Sequence, residues 1–369
     1  MASITKLPDG RWRARWRAPA GGSRCKTFEL KGEAQTFLVE IEHKKNINGY
    51  VDPRAGRVRF ATFAASWLNA QPFNPSTTEA VASRLRVHIY PFLGPLELRD
   101  FRPSTVQAWI RGRQDVCAPS YVRLLLAHVN SILGAAVDDG LIAKNPCATR
   151  AVRAPTVTQE KVIPWSQESV AAVISTLPTR YRAIAVVASG AGLRQGEVFG
   201  LRVEDVDFLG RRLNVRQQIK LISGKPTPAP PKRGKTREVP LAEVVAVALS
   251  EHLREHGPGE GGLFFTSREH KPIARTYFNQ HIWKPALVKA GIEPTRANGM
   301  HALRHYFASV LLDAGESIRA LSDYLGHSDP GFTLRVYTHL MPASEDRARR
   351  AIDAAFSSSR VRTVSDGAK

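Results

Sequence analysis

Between Gly10 and Arg17 the chain reads Gly-Arg-Trp-Arg-Ala-Arg-Trp-Arg, a strict alternation of cationic and apolar residues. Only an extended strand sorts that pattern, because its successive side chains point to opposite faces; a helix would scatter both kinds around its surface. Trp12, Ala14 and Trp16 fall on one face, and Arg11, Arg13, Arg15 and Arg17 on the other. Pro8-Asp9-Gly10 before the strand and Ala20-Gly21-Gly22 after it are turn signals. A partner strand is expected over 25–30, and apolar residues at 34, 37, 38 and 41 predict a helix from 33 to about 46. A small sheet backed by a helix, with its arginines outward, has the shape and charge to lie in a DNA groove. The plainer alternative is that the arginines solvate an edge strand.

Proline and glycine divide the rest. Helical spacing recurs over 60–69, 76–90, 103–111 and 119–139, with breaks at Gln71-Pro-Phe-Asn-Pro, Pro91-Phe-Leu-Gly-Pro95 and Asp139-Gly140. Arg84 and Arg86 belong to a set of cations that makes this helical module basic enough to grip a duplex. One sequence does not fix whether they face DNA or solvent. Linkers are expected over 49–59 and 151–162. Beyond them, helices over 167–175 and 181–189 precede strands over 205–207, 212–217 and 237–241, a basic loop over 223–236, and further helices from 242. The expected fold class is therefore α+β and multidomain. It comprises a small sheet-plus-helix domain (1–57), an all-α domain (58–155), a mostly α domain with a small antiparallel sheet (160–356), and a Ser-rich disordered tail (357–369).

Charge says what such a chain meets. Lys plus Arg number 53 against 33 acids, a net charge of +20 over 369 residues. An excess this large in a folded chain points to a polyanion, with nucleic acid ahead of a membrane surface and ahead of general stickiness. No run of 18 apolar residues predicts a membrane span, and the first residues lack the apolar stretch of a signal peptide. Three separated cysteines, Cys25, Cys117 and Cys147, fit a reducing cytosol, and no Cys/His cluster has zinc spacing.

The chemistry concentrates in 299–340, GMHALRHYFASVLLDAGESIRALSDYLGHSDPGFTLRVYTHL. It holds His301 and Arg304 as His-x-x-Arg, His327 in Leu-Gly-His, and Tyr337 ten residues later. A phenol, with a pKa of about 10, attacks nothing at pH 7 without a base and cations around it. Arg304 can fork onto two phosphate oxygens, and His301 is the residue type that titrates near neutrality. Taken singly, a helical histidine is more often a packed or surface residue. His301 and His305 at i and i+4 could also bind a metal, but the Glu of His-Glu-x-x-His and a third ligand are missing. Earlier, Ala191-Gly-Leu-Arg-Gln-Gly-Glu197 sets Arg194 at a helix start, where the backbone can approach an anion. Lys232-Arg-Gly-Lys-Thr-Arg237-Glu-Val-Pro240 lies on a loop feeding a strand. Loop lysines are mostly solvated, yet one held at a hairpin tip can protonate a leaving oxygen.

The order G-L-R-x-G-E, K-x-x-K-x-R-x-V-P, H-x-L-R-H, L-G-H and V-Y-T-H resembles the tyrosine recombinases, the phage integrase family, across 160–355. The wording around Tyr337 is similar to integrases of actinobacterial phages and integrative elements, with one residue more between His327 and Tyr337 than in Xer-type recombinases. The resemblance implies roles residue by residue. Arg194 and Arg304 would hold the scissile phosphate and His301 would serve as base or relay. Lys232 would be the acid for the 5′ oxygen, with Lys235 its substitute. His327 would donate to the phosphate and Tyr337 would attack. It also implies core- and arm-type sites on double-stranded DNA, a homotetramer, a host DNA-bending protein and an excisionase as accessory partners, and a place in the bacterial cytoplasm at the nucleoid. Neither metal nor nucleotide is required, since two arginines, a lysine and two histidines supply the cations and the phosphotyrosyl ester conserves the energy of the broken bond. The segment after the tyrosine, with Ala348, Ala351, Ile352 and Ala355, is expected as a helix docked on a neighbouring subunit or on its own domain. Two rival readings share these residues. One is a type IB topoisomerase-like enzyme with nearly the same residues; the other is a non-catalytic DNA-binding protein derived from an integrase.

Overall fold

A computed structural model of the chain describes residues 2–17, 22–46, 55–158, 161–340, 349 and 352–356. Two compact units divide the chain, Met1–Thr158 and Gln159–Lys369.

The first unit opens with a three-stranded antiparallel sheet in the order β1 (Ser3–Lys6), β2 (Trp12–Arg17), β3 (Ser23–Phe28). Trp12 stands opposite Phe28, and Arg15 lies between Ser3 and Cys25. The alternation sorts as its pattern requires: Ala14 and Trp16 are buried, while Arg15 and Arg17 are exposed and Arg13 is half-buried. Helix α1 (Lys31–Asn46) closes the apolar face with Ala34, Leu38 and Ile41, and Phe37 meets Trp16 edge-on with ring centroids 5.2 Å apart. Strand β1 was not expected, because four residues carry too little period to read. Strand β3 begins two residues before the expected 25. Residues 49–54 of the expected first linker lie outside the described residues, and Ala55–Arg57 form a short turn of helix.

The same unit holds helices α2 (Phe60–Ala70), α3 (Pro75–Arg84), α4 (Tyr90–Leu93), α5 (Pro103–Gln114) and α6 (Pro119–Asp138). A π turn over Leu85–Ile89 joins α3 to α4, so the helix expected over 76–90 is continuous but locally widened. The indole of Trp109 donates to the His88 carbonyl inside that turn at 3.1 Å. Asn74 caps α3 by accepting from the Thr77 amide at 3.1 Å, with Pro75 in the first turn. Leu85, Ile89, Val106, Ile110, Val122, Leu125, Val129 and Ile132 form the core. Helix α6 is long and apolar enough on average to cross a membrane, although Arg123, His128 and Asn130 break it so that it holds no run of 18 apolar residues. Its apolar stripe from Val122 to Ala136 is buried in this core, as befits the central helix of a bundle.

The second unit begins with α7 (Gln167–Thr176), α8 (Thr179–Ala191) and α9 (Gln195–Phe199). Strands β4 (Val206–Asp207), β5 (Arg212–Val215), β6 (Gln218–Ile222), β7 (Lys225–Ala229) and β8 (Arg237–Pro240) follow. The sheet runs β4-β5-β8, and β6 and β7 make a separate hairpin. Then come α10 (Glu243–His256), α11 (Arg275–Phe278), α12 (Lys284–Lys289), α13 (His301–Asp313), α14 (Ile318–Leu325) and α15 (Pro330–Tyr337). Helix α8 is the spine: Ile184, Val187, Ala188 and Ala191 are fully buried, and α10 and α13 pack against it. The basic loop expected over 223–236 is in its first half strand β7. Pro226 and Pro228 made it read as loop, yet a strand with a free edge tolerates residues that cannot donate. After Tyr337, residues 341–348, 350 and 351 lie outside the described residues, Ala348 and Ala351 among them, as do 159–160 of the second linker and the whole of 357–369. Residues 352–356 are helical, with Ile352 and Phe356 exposed.

Candidate active site

Helix α8 stops at Gly192, whose φ of +63° reverses the chain; a Cβ there would meet the Phe307 ring at 2.3 Å, so glycine is required on both counts. Two residues later Arg194 starts α9. Its Nη1 donates to Glu197 Oε1 at 2.9 Å and its Nη2 to the Gly326 carbonyl at 3.2 Å. Glu197 is wholly enclosed and takes a second, bidentate partner: Arg237 donates to its two oxygens at 3.0 and 2.7 Å. Burial alone would raise the Glu197 carboxyl, but the Arg237 hydrogen bonds and the charges of Arg237 and Arg194 outweigh it and hold the pKa at about 2. Arg237 also donates through Nε to the Tyr324 carbonyl at 2.7 Å. One buried carboxylate thus fixes two arginines, one from α9 and one from β8.

Arg304, on α13, is 1 % exposed. Its Nη1 donates to the Gly192 carbonyl at 2.6 Å, and its Nη2 to the Leu325 carbonyl and to His327 Nε2, the last at 3.1 Å. Burial first, then the neighbouring Arg194, lower its pKa to about 9, so the guanidinium remains charged at pH 7. His327 Nδ1 lies 2.7 Å from Thr333 Oγ1. Burial and the charges of Arg304, Arg194 and Arg237 push the His327 pKa down to about 3, so the ring is neutral. Since an arginine only donates, Nε2 offers it a lone pair and Nδ1 carries the hydrogen.

Arg194, Lys232, Lys235, Gly326, His327, Ser328 and Phe332 line a cavity of about 200 Å³. Lys232 and Lys235 are exposed at its rim. Tyr337 closes α15 and is 1 % exposed. Burial raises its pKa to about 12 against the opposing pull of Arg304 and Arg194. Its hydroxyl lies 2.8 Å from Nδ1 of His305, not against His301. His305 is itself pushed down to about 4, by burial and then Arg304. His301 is the more exposed ring, stacked edge-on against His305 with centroids 4.6 Å apart. Desolvation on its inner side, with His305 and Arg304 nearby, lowers its pKa too.

The six residues expected to act all lie in the second unit, and Arg194, Lys232 and His327 share one cavity wall with Lys235. Arg304 joins them through His327, and His301 reaches Tyr337 only across His305. The arginines expected at DNA lie in the first unit. Arg11 is ion-paired to Asp9 at 2.6 Å, Arg15 and Arg17 are open, Arg84 lies 3.5 Å from His128, and Arg86 is exposed. Four residues that complete the site went unassigned in the sequence: Glu197, Arg237, His305 and Thr333. The first two stand inside the motifs that flag Arg194 and Lys232, and His305 follows Arg304 directly. Thr333 carries no local signal.

A model of the phage integrase family matches residues 166–344. The prophage phiRv2 integrase of Mycobacterium tuberculosis is 27 % identical over 356 residues, covering 91 % of this chain and 90 % of its own. The tyrosine recombinase XerD of Pseudomonas aeruginosa is 32 % identical over 56 % of this chain and 66 % of its own. Among solved structures, the Tn1549 transposon integrase in complex with a circular intermediate DNA superposes with a TM-score of 0.69 at 20 % identity, over 80 % of this chain and 99 % of that one. Fold, family match and relatives agree: the chain belongs to the phage integrase family and is a tyrosine-type, site-specific DNA recombinase.

Proposed function

We propose that Tyr337 attacks a scissile phosphate in double-stranded DNA, forming a 3′-phosphotyrosyl ester and releasing a 5′ hydroxyl, in the integration or excision of a mobile element. The observation that carries this reading is the 2.8 Å contact between the Tyr337 hydroxyl and His305, in the field of Arg304 and Arg194. A buried, neutral phenol needs a proton acceptor at hand and positive charge to receive the phenolate as it forms. His305, neutral at pH 7, accepts the proton, and His301 passes it outward. Arg194 and Arg304 take the two non-bridging oxygens, the phosphate displacing His327 from Arg304. His327 donates to the phosphate from Nε2 once its single ring hydrogen has moved there from Nδ1, the Thr333 hydroxyl donating to Nδ1 in return. Lys232 protonates the departing 5′ oxygen, with Lys235 on the same turn as the substitute. Attack by a 5′ hydroxyl of another strand reverses the sequence and releases Tyr337.

Each protomer carries one such tyrosine, and exchange between two duplexes breaks four strands, so four protomers act together. We assign residues 1–57 to arm-type sites, 58–155 to gripping the core site, 160–356 to chemistry and 357–369 to a tail. A DNA-bending host protein and an excisionase set direction, in the bacterial cytoplasm at the nucleoid.

The test uses a nicked duplex carrying a crossover sequence, selected from a randomised library by covalent capture on the wild-type chain. In EDTA, a denaturant-resistant adduct is expected with the wild type and not with Tyr337→Phe. An adduct that persists in the phenylalanine variant, or tight binding by the wild type with no adduct, overturns the reading.

A further inference from the structure

Helix α9 is only five residues long, yet the turn that carries Lys232 is tied to it from both sides. Downstream of the turn, Arg237 at the start of β8 is clamped by Glu197 of α9. Upstream, the link is indirect and rests on Gly200, the residue that ends α9. A Cβ at Gly200 would meet Gln218 Cα at 2.8 Å and its carbonyl carbon at 3.0 Å, so only glycine lets β6 come this close. Its φ of −94° is open to any residue, which leaves space as the whole reason for glycine here. One turn earlier, a Cβ at Gly196 would meet the Ile219 carbonyl at 2.8 Å, and Gln217 Nε2 donates to the Gly200 carbonyl at 2.8 Å. Gln218, seated by this contact, pairs with Ala229 at the open end of the hairpin, and there its Nε2 donates to the Pro230 carbonyl at 2.6 Å. Pro231 is buried, and the Lys232–Gly234 turn begins at once.

We infer that Gln218, docked on Gly200, is a positioning residue that sets where Lys232 enters the cavity beside Arg194 and His327. The inference rests on the reading of Lys232 as the general acid. Without the Gln218 side-chain bond the segment 230–232 is held upstream only by the ladder pair Gln218–Ala229, and the Pro230 carbonyl next to the turn is untied. An exposed lysine then spends less time within reach of the 5′ oxygen. The proton it must supply is specific to one step: as Tyr337 bonds to phosphorus and the P–O5′ bond breaks, the departing oxygen takes a proton from Lys232 Nζ. A sulfur at that position leaves as a stable thiolate and takes none.

The experiment compares single-turnover cleavage of the captured duplex with its 5′-bridging phosphorothiolate analogue, for wild type, Lys232→Ala, Gln218→Ala and Gly200→Ala. Lys232→Ala is expected to cleave the oxygen duplex about 10²-fold or more slowly and to approach the wild-type rate on sulfur. Gln218→Ala should lose about tenfold on oxygen and stay within about twofold on sulfur; Gly200→Ala should show the same asymmetry. Equal losses on both duplexes, or no loss, in Gln218→Ala overturn the inference while leaving Lys232 as the acid. A Lys232→Ala defect that sulfur does not relieve overturns the reading of Lys232 itself. The sulfur duplex also reports folding, since a misfolded variant is slow on both.

Discussion

Nδ1 of His305 lies 2.8 Å from the hydroxyl of Tyr337, although the histidine of the flagged His-x-x-Arg pair is His301. Two consequences follow for the rate. His305→Phe should slow cleavage about 10²-fold while leaving DNA affinity within a few fold, because the phenol loses its proton acceptor and no phosphate contact is touched. The pH dependence has a definite sign. An ordinary histidine would be protonated, and useless as a base, below about pH 6.5. His305 is depressed to about 4, so it remains an acceptor down to about pH 5. Single-turnover cleavage should therefore hold through pH 6 and fall with a midpoint near 4. A midpoint near 6.5 would count against His305 as the acceptor.

Glu197 is the fixed point of two arginines, and removing its charge leaves the enclosed Arg237 and the half-buried Arg194 undercompensated. Glu197→Gln should cost about 3 kcal/mol, in the range for breaking one side of a buried ion pair, and should lower the thermal midpoint as well as the cleavage rate. Its pKa is about 2 folded against 4.5 for a free glutamate. A depressed carboxylate stabilises above its unfolded pKa, and that contribution, about 3 kcal/mol, fades as pH falls from 4.5 toward 2. Acid melts of the wild type should show this loss and those of Glu197→Gln should not. Parallel melts would refute it.

The open face of β2 makes a prediction about salt. If Arg13, Arg15 and Arg17 touch phosphates at an arm-type site, replacing all three with alanine should flatten the log K against log salt slope by up to about 3, near 0.9 per lost contact. Arg11, already paired with Asp9, should change the slope less on its own. The fold should survive, because these side chains lie on the sheet face away from Trp16 and Ala14. An unchanged slope in a filter-binding or fluorescence titration would return the arginines to the role of solvating an edge.

How much of this was legible in the chain follows from what each signal depends on. The strand at 12–17 and helices α5 and α6 were readable because their periods and their proline or glycine stops are local. Strand β1 was not, being too short to have a period, and β7 was hidden by Pro226 and Pro228, whose meaning reverses at a free edge. In the site, motif order pointed to Arg194, Arg304, His327 and Tyr337. Their partners were another matter. That Glu197 joins Arg194 to Arg237 depends on β8 returning beside α9, 40 residues later, which no spacing rule states. His305 was visible but weighed as a metal ligand, since only the docking of α15 brings Tyr337 to it. Thr333 became interpretable only with His327 Nδ1 in view.

Every hydrogen bond described around the cavity begins and ends within residues 192–337, and several converge on the five residues of α9 and the glycine that ends it. If residues 1–57 read the arm-type sites as proposed, cutting and addressing are written in separate parts of the chain. A designer who rewrites the sheet face of residues 12–17 to seek a new target disturbs none of these bonds. A single added methyl at Gly200 would unsettle the cutting machinery for every target alike.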